Sequence, residues 1–114
     1  MDCPQNHYVA QINEKTGKLI YTKYDLERKA GNWFIFSRLL RNGKRETLKI
    51  NGRLSVRSNK KEALLDLIDS LRFFFAKSIF RSEEKIPIAE FYDRAKRLSI
   101  CADAAKRMGI KEIT

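Results

Sequence analysis

Histidine and cysteine are scarce, one and two in 114 residues, and that scarcity removes most site chemistry at the outset. With His7 as the sole imidazole, a histidine-rich metal site cannot assemble, and His7 is not read as the base of a Ser-His-Asp constellation. Cys3 and Cys101 stand at opposite ends with no Cys-x-x-Cys pair, which excludes a zinc ribbon. Two reduced thiols inside a cell are the expected state, with a disulfide joining the two ends as the alternative. No Gly-x-Gly-x-x-Gly occurs, and Gly17-Lys18 lacks the preceding glycine that a phosphate loop requires. Long apolar runs are missing too. The most apolar stretch, 71–80, is broken by Arg72 and Lys77, short of the roughly 18 residues of a membrane span. Met1-Asp2-Cys3-Pro4 is no basic-then-apolar leader, so the expected setting is cytoplasmic, away from membranes.

The remaining scarcity is of negative charge. Lys and Arg number 24 against 14 Asp and Glu, a net charge of +10. Such an excess draws polyanions and does not by itself shape a fold. With 43% hydrophobic and 33% charged residues the chain has the make-up of a folded domain, and its length fits one. Residues 1–114 are read as a single domain, with a sheet over 1–57, a long helix over 58–81 and C-terminal helices over 86–110.

Turn signals and periodicity give the element order. Tyr8–Ile12 and Lys18–Tyr24 flank Glu14-Lys15-Thr16-Gly17 as a hairpin. Lys29-Ala30-Gly31-Asn32 breaks the chain before the strongest strand, Trp33–Leu40. Asn42-Gly43 predicts a type I′ turn leading into a return strand, Arg45–Ile50. Asn51-Gly52 then introduces a last short strand over Arg53–Arg57. At Ser58 the period changes: Ser58 or Asn59 caps a helix, with Glu62 in its first turn. Leu64, Leu67, Ile68, Leu71, Phe74, Phe75 and Ile79 form its seam. Phe73 and Phe80 widen that seam until its end requires cover on more than one side, from the C-terminal helices or from a second subunit. Pro87 opens the next helix, with Ile88, Phe91, Tyr92, Ala95 and Leu98 as the expected buried stripe, and a further turn or two over Ala102–Met108 ends at Gly109. The class is therefore α+β: a four- to five-stranded antiparallel sheet in the N-terminal half, then a long amphipathic helix and one or two C-terminal helices.

Charge is concentrated within this order. Residues 1–57 hold 12 basic and 5 acidic side chains, whereas 83–114 hold 7 and 6. Between Arg38 and Arg57 stand Arg38, Arg41, Lys44, Arg45, Lys49, Arg53 and Arg57 against Glu46 alone. Strand alternation with Leu48, Ile50, Leu54 and Val56 inward sends Arg45, Thr47, Lys49, Arg53, Ser55 and Arg57 outward. Placing Trp33, Ile35 and Leu39 in the core puts Phe34, Phe36 and Arg38 on that outer face, beside Tyr21 and Lys23. The opposite phase, with Trp33 and Ile35 outside in place of Phe34 and Phe36, stays open on sequence alone. The outer face so read, with Phe34, Phe36, Arg38, Tyr21 and Lys23, mixes cations, hydroxyls and rings, a mixture suited to phosphates, sugars and bases.

Gly31-Asn32-Trp33, Asn42-Gly43-Lys44-Arg45 and Ser58-Asn59-Lys60-Lys61-Glu62-Ala63 follow one another over residues 18–71. This order of three strands and a helix resembles the AP2-like, arm-type DNA-binding domains of tyrosine recombinases. The resemblance implies a sheet laid in the major groove, with Arg38, Arg45, Lys49 and Arg53 toward the bases. It also fits a regulator or accessory factor of a mobile element. The strands at Tyr8 and at Arg53 depart from that pattern. Ser99–Ile110 has the look of the first half of a helix-turn-helix, but only five residues follow Gly109, so a glycine-capped terminal helix is expected instead. Glu62, Asp66 and Asp69 share one side of a helix and are read as a solvated face rather than a nuclease site.

The expected protein is therefore a non-enzymatic binder of nucleic acid, DNA favoured over RNA, with no metal and no cofactor. Its site residues are Arg38, Arg41, Lys44, Arg45, Lys49, Arg53, Arg57, Lys23, Tyr21, Phe34 and Phe36. The alternative is a protein-interaction module, an inhibitor or adaptor that docks an acidic partner or forms a homodimer through Phe73, Phe74 and Phe80.

Overall fold

Alternating strands in the first half and helical spacing in the second produce the α+β order expected. The computed structural model describes residues 3–80 and 87–112, the side chains of 74–80 excepted. Four strands, β1 (Asn6–Ile12), β2 (Leu19–Ala30), β3 (Trp33–Leu39) and β4 (Arg45–Asn51), form one antiparallel sheet in the order β1-β2-β3-β4. Two helices follow, α1 (Lys60–Phe80) and α2 (Ile88–Arg107). The chain divides into two compact units, Met1–Val9 with Tyr21–Ala63 and Ala10–Ile20 with Leu64–Thr114. The expectations for the side chains of Phe74, Phe75, Ile79 and Phe80 lie outside the described residues.

In the first unit each turn is set by a glycine with positive φ. β2 and β3 are joined by Gly31-Asn32, with Ala30 opposite Trp33 and φ at Gly31 of 62°. A two-residue hairpin loop with left-handed backbone at its first position alone is the type II′ arrangement. The β3–β4 turn differs from expectation. Among described residues no non-glycine has positive φ, so Asn42 is not part of a type I′ turn, and only Gly43, at 82°, is left-handed. The amide of Gly43 donates to the Leu40 carbonyl (3.0 Å) and that of Leu40 to the Lys44 carbonyl (2.8 Å). Asn42 contributes its side chain, accepting the Lys44 amide at 3.0 Å, the local bond that makes Asn a turn former.

The fifth strand does not form. Gly52, at φ 84°, turns the chain away from the sheet, and Arg53–Ser55 becomes a short 3-10 turn. Its amides are spent locally, Ser55 on Gly52 (3.3 Å) and Val56 on Arg53 (3.1 Å), leaving no ladder to join. Leu54, expected inward, is 92% exposed, while Val56 enters the core. That core consists of Tyr24, Phe34, Phe36 and Val56, with Val9, Leu26, Leu48 and Ile50 packed against it. His7 is buried. Its Nδ1 accepts the Arg57 amide at 3.0 Å, and its ring centroid lies 5.5 Å from that of Phe36. The Tyr8 amide donates to the Arg57 carbonyl at 2.7 Å, closing the same clamp from the other side.

Asn59 rather than Ser58 caps α1. Its Oδ1 accepts the Glu62 amide at 2.8 Å, and the Glu62 carboxylate reaches back to the Ser58 amide at 2.6 Å, a variant of the reciprocal capping box.

Among the described residues of the second unit, Ala10, Leu64, Ile68, Cys101, Ala104 and Ala105 are buried. Leu64 and Ile68 come from the expected seam of α1. The stripe of α2 is rotated from expectation, because Ile88 and Tyr92 are exposed. At 100° per residue these two stand roughly 80° and 120° round the helix from Leu98, on the side away from Cys101 and Ala104. No Gly or Pro interrupts 88–108, so the two expected C-terminal pieces are one continuous helix. It ends in a Schellman motif: the Ile110 amide donates to Ala105 and that of Gly109 to Lys106, both at 3.0 Å, with Gly109 at φ 78°. Cys3 and Cys101 are both free thiols, and burial pushes the Cys101 thiol pKa up.

Both caps are testable by urea unfolding. Asn59→Ala is expected to cost about 1 kcal/mol through the lost cap. Gly109→Ala is expected to cost about as much, because a Cβ must then adopt left-handed backbone. An unchanged midpoint in either variant would show that the end concerned frays in solution.

Candidate nucleic-acid interface

The register between β3 and β4 decides which side chains share a face. Phe34 is opposite Ile50, Phe36 opposite Leu48 and Arg38 opposite Glu46, while Trp33, Ile35, Ser37 and Leu39 face Asn51, Lys49, Thr47 and Arg45. Directly opposed residues point the same way. One face of these strands is therefore the aromatic core, continued at its rim by Arg38 and Glu46. The other carries Trp33, Thr47, Lys49 and Arg45.

This reverses the expected phase of β3. Phe34 and Phe36, expected outside as stacking rings, are 4% and 0% exposed, and Trp33, expected in the core, is 46% exposed. Leu39 is exposed as well. The physical reason is packing: Leu48 and Ile50 were rightly expected inward, and their cross-strand partners must go inward with them.

Arg38 moves with the core face and is engaged there. Its Nε and Nη2 donate to Glu46 Oε2 at 3.0 and 2.8 Å, the Tyr24 hydroxyl donates to Glu46 Oε1 at 2.6 Å, and the guanidinium lies 5.5 Å over the Tyr24 ring. The Tyr24 hydroxyl and then Arg38 hold the Glu46 carboxyl below its ordinary pKa, while burial and then Glu46 raise that of Tyr24. Arg38 is thus bound into the fold instead of offered to a ligand.

Strand β2 completes the outer face through a bulge. Leu26 pairs with Phe36, but the next partner, of Ile35, is Arg28, so Glu27 is the extra residue. Without the slip Arg28 would follow Leu26 onto the core side. With it, Arg28, Ile35 and Lys49 form one cross-strand row, Asp25, Ser37 and Thr47 a second, and Ala30, Trp33 and Asn51 a third. Ile35 and Ser37 are buried within these rows. Long basic side chains lay their methylene stems over such neighbours and keep their heads in water. An Arg45 Nη1–H donates to the Ser37 hydroxyl at 3.3 Å.

Of the expected site residues, Arg45 and Lys49 stand on this face, and Arg41 and Lys44 are exposed at the hairpin turn that borders it. Lys23 is exposed, 3.9 Å from Asp25. Arg53 is exposed in the 3-10 turn. Arg57 is tied down, its Nη1 donating to the Leu54 carbonyl at 2.7 Å. Tyr21 is half-buried, with Lys60 Nζ 5.4 Å from its ring centroid. Arg28 and Trp33 belong to the face and were not in the expected site. Phe73 of α1, expected in the widened seam, is exposed.

Among the described residues no group of three or more His, Cys, Asp or Glu could hold a metal ion. No described helix is long and apolar enough to cross a membrane. No protein-family model, curated protein or solved structure matches the chain.

The Tyr24–Glu46–Arg38 group carries a pH signature. Because the folded-state pKa of Glu46 is depressed, its stabilising contribution is present above the ordinary glutamate value and is lost as pH falls through the folded value. Tyr24, raised, has the opposite sign: its contribution is present below the ordinary tyrosine value and fades as pH rises past it. Urea midpoints of the wild type should therefore fall on the acid side, and Glu46→Gln should flatten that fall. An identical acid limb in the variant would show the group to be broken in solution.

Proposed function

We propose that this chain binds nucleic acid through the outward face of β2, β3 and β4. The observation that carries the reading is the placement of Glu46. The tract from Arg38 to Arg57 contains one acid against seven bases, and that acid points to the core face, held by Arg38 and Tyr24. On the outward face β3 and β4 present Trp33, Arg45, Thr47 and Lys49 with no carboxylate among them, and Arg28 joins from β2. The one carboxylate in the rows, Asp25, is beside Lys23. Cations there neutralise phosphates and release counterions, hydroxyl and amide groups hydrogen-bond to the backbone, and the indole meets a base or sugar. An AP2-like domain would use its sheet in the same sense, and a regulator or accessory factor of a mobile element remains the role that accompanies that analogy.

Titrating labelled oligonucleotides across a salt series tests the reading, because each phosphate contact adds about 0.9 to the log–log slope. Arg45→Ala and Lys49→Ala should each flatten the slope by about one contact, whereas Arg38→Gln, on the other face, should leave it unchanged. A slope that responds to Arg38 and ignores Lys49 would move the contact surface to the opposite face.

A further inference from the structure

We infer that the preferred ligand of this face is single-stranded nucleic acid, with one base stacked on the indole of Trp33; the inference rests on the nucleic-acid reading above. Trp33 is the only tryptophan of the chain and lies 46% exposed at the start of β3. Its cross-strand neighbours are short, Ala30 on one side and Asn51 on the other. Asn51 is further held down by the Asn32 side chain, whose Nδ2 donates to its Oδ1 at 3.0 Å. No side chain of comparable size therefore flanks the ring across the strands. One row along, Arg28 and Lys49 stand on either side of Ile35, each diagonal to Trp33 at the ~7–8 Å typical of such pairs. Among the described residues neither of these two cations is in an ion pair.

A planar apolar ring with two cations one row along, diagonal to it on either side, matches the alternation of a single strand, in which a splayed base is followed by its phosphates. A duplex fits the same group poorly. Its bases already stack on one another, so an indole standing on a sheet meets only base edges or backbone, and the exposed half of the ring gains no stacking partner. The cations would serve either ligand. The ring discriminates between them.

The test uses the whole chain with fluorescein-labelled 20-mers of single-stranded DNA, single-stranded RNA and blunt duplex DNA, read by anisotropy and by Trp33 emission. Both single strands should bind more tightly than the duplex and quench the tryptophan, and the tighter of the two identifies the preferred sugar. Trp33→Ala should weaken single-strand binding by about five- to a hundred-fold and duplex binding by less than about two-fold. Trp33→Phe, which keeps a ring at an exposed position, should recover most of the loss and separates a lost stack from a damaged fold. Duplex binding as tight as single-strand binding, or equal losses on all three ligands in Trp33→Ala, would overturn the stacking inference while leaving the nucleic-acid reading in place. Absence of binding to all three at low salt would overturn that reading itself.

Discussion

The burial of Phe36 is the constraint on which the rest of the molecule's surface depends. A strand has two faces and one phase, and a fully buried ring in mid-strand settles that phase for every other residue of β3. Phe34 goes inward with it and Trp33 goes outward. Because β4 is locked to β3 residue by residue, Leu48 and Ile50 close over the same rings, and Arg45, Thr47 and Lys49 are left on the open side. The two phenylalanines form with Tyr24 and Val56 the buried cluster on which Val9, Leu26, Leu48 and Ile50 pack, whereas Trp33 and Leu39 on the other phase are exposed.

Charge follows from that phase. Arg38 and Glu46 are opposed across β3 and β4 on the core side, where the carboxylate takes both the guanidinium and the Tyr24 hydroxyl. Their contribution to stability is modest, since both remain partly in solvent. Their effect on surface charge is larger: they neutralise each other away from the outward face and leave the cations there uncompensated by β3 and β4. The bulge at Glu27 acts in the same direction by turning Arg28 outward. The basic surface is thus a by-product of how the aromatic core was packed, sharpened by one irregularity in the sheet.

Much of the fold was legible in the sequence, and the part that was not has identifiable causes. Four strands, the α1 seam around Leu64 and Ile68 and the cap at Gly109 were all readable from periodicity and turn residues. The phase of β3 was misread because Trp33–Phe36 is apolar on both faces, so alternation carried no signal there. A two-residue Asn42-Gly43 loop would set Phe36 opposite Lys49; the longer turn that forms, centred on Asn42, sets Phe36 and Phe34 opposite Leu48 and Ile50 instead, and all four share a side. Arg28 lay beyond the second strand as expected, Lys18–Tyr24, whereas β2 runs on to Ala30 through a bulge at Glu27 that leaves no trace in the sequence. The strand expected at Arg53–Arg57 failed because Gly52 adopts a left-handed turn, an event that Asn51-Gly52 permits but does not force. In the second unit, Ile88 and Tyr92 fitted a helical spacing that was real but centred too far round α2.

The central claim is that the outward face of β2–β4, and not the core-side rim, meets a polyanion. The most direct measurement is an amide chemical-shift map of the isotopically labelled protein on titration with an oligonucleotide. The account predicts that the largest shifts fall on Arg28, Trp33, Arg45, Thr47 and Lys49, with Tyr24, Arg38 and Glu46 little affected. Shifts centred on Arg38 and Glu46, or confined to α2, would contradict it.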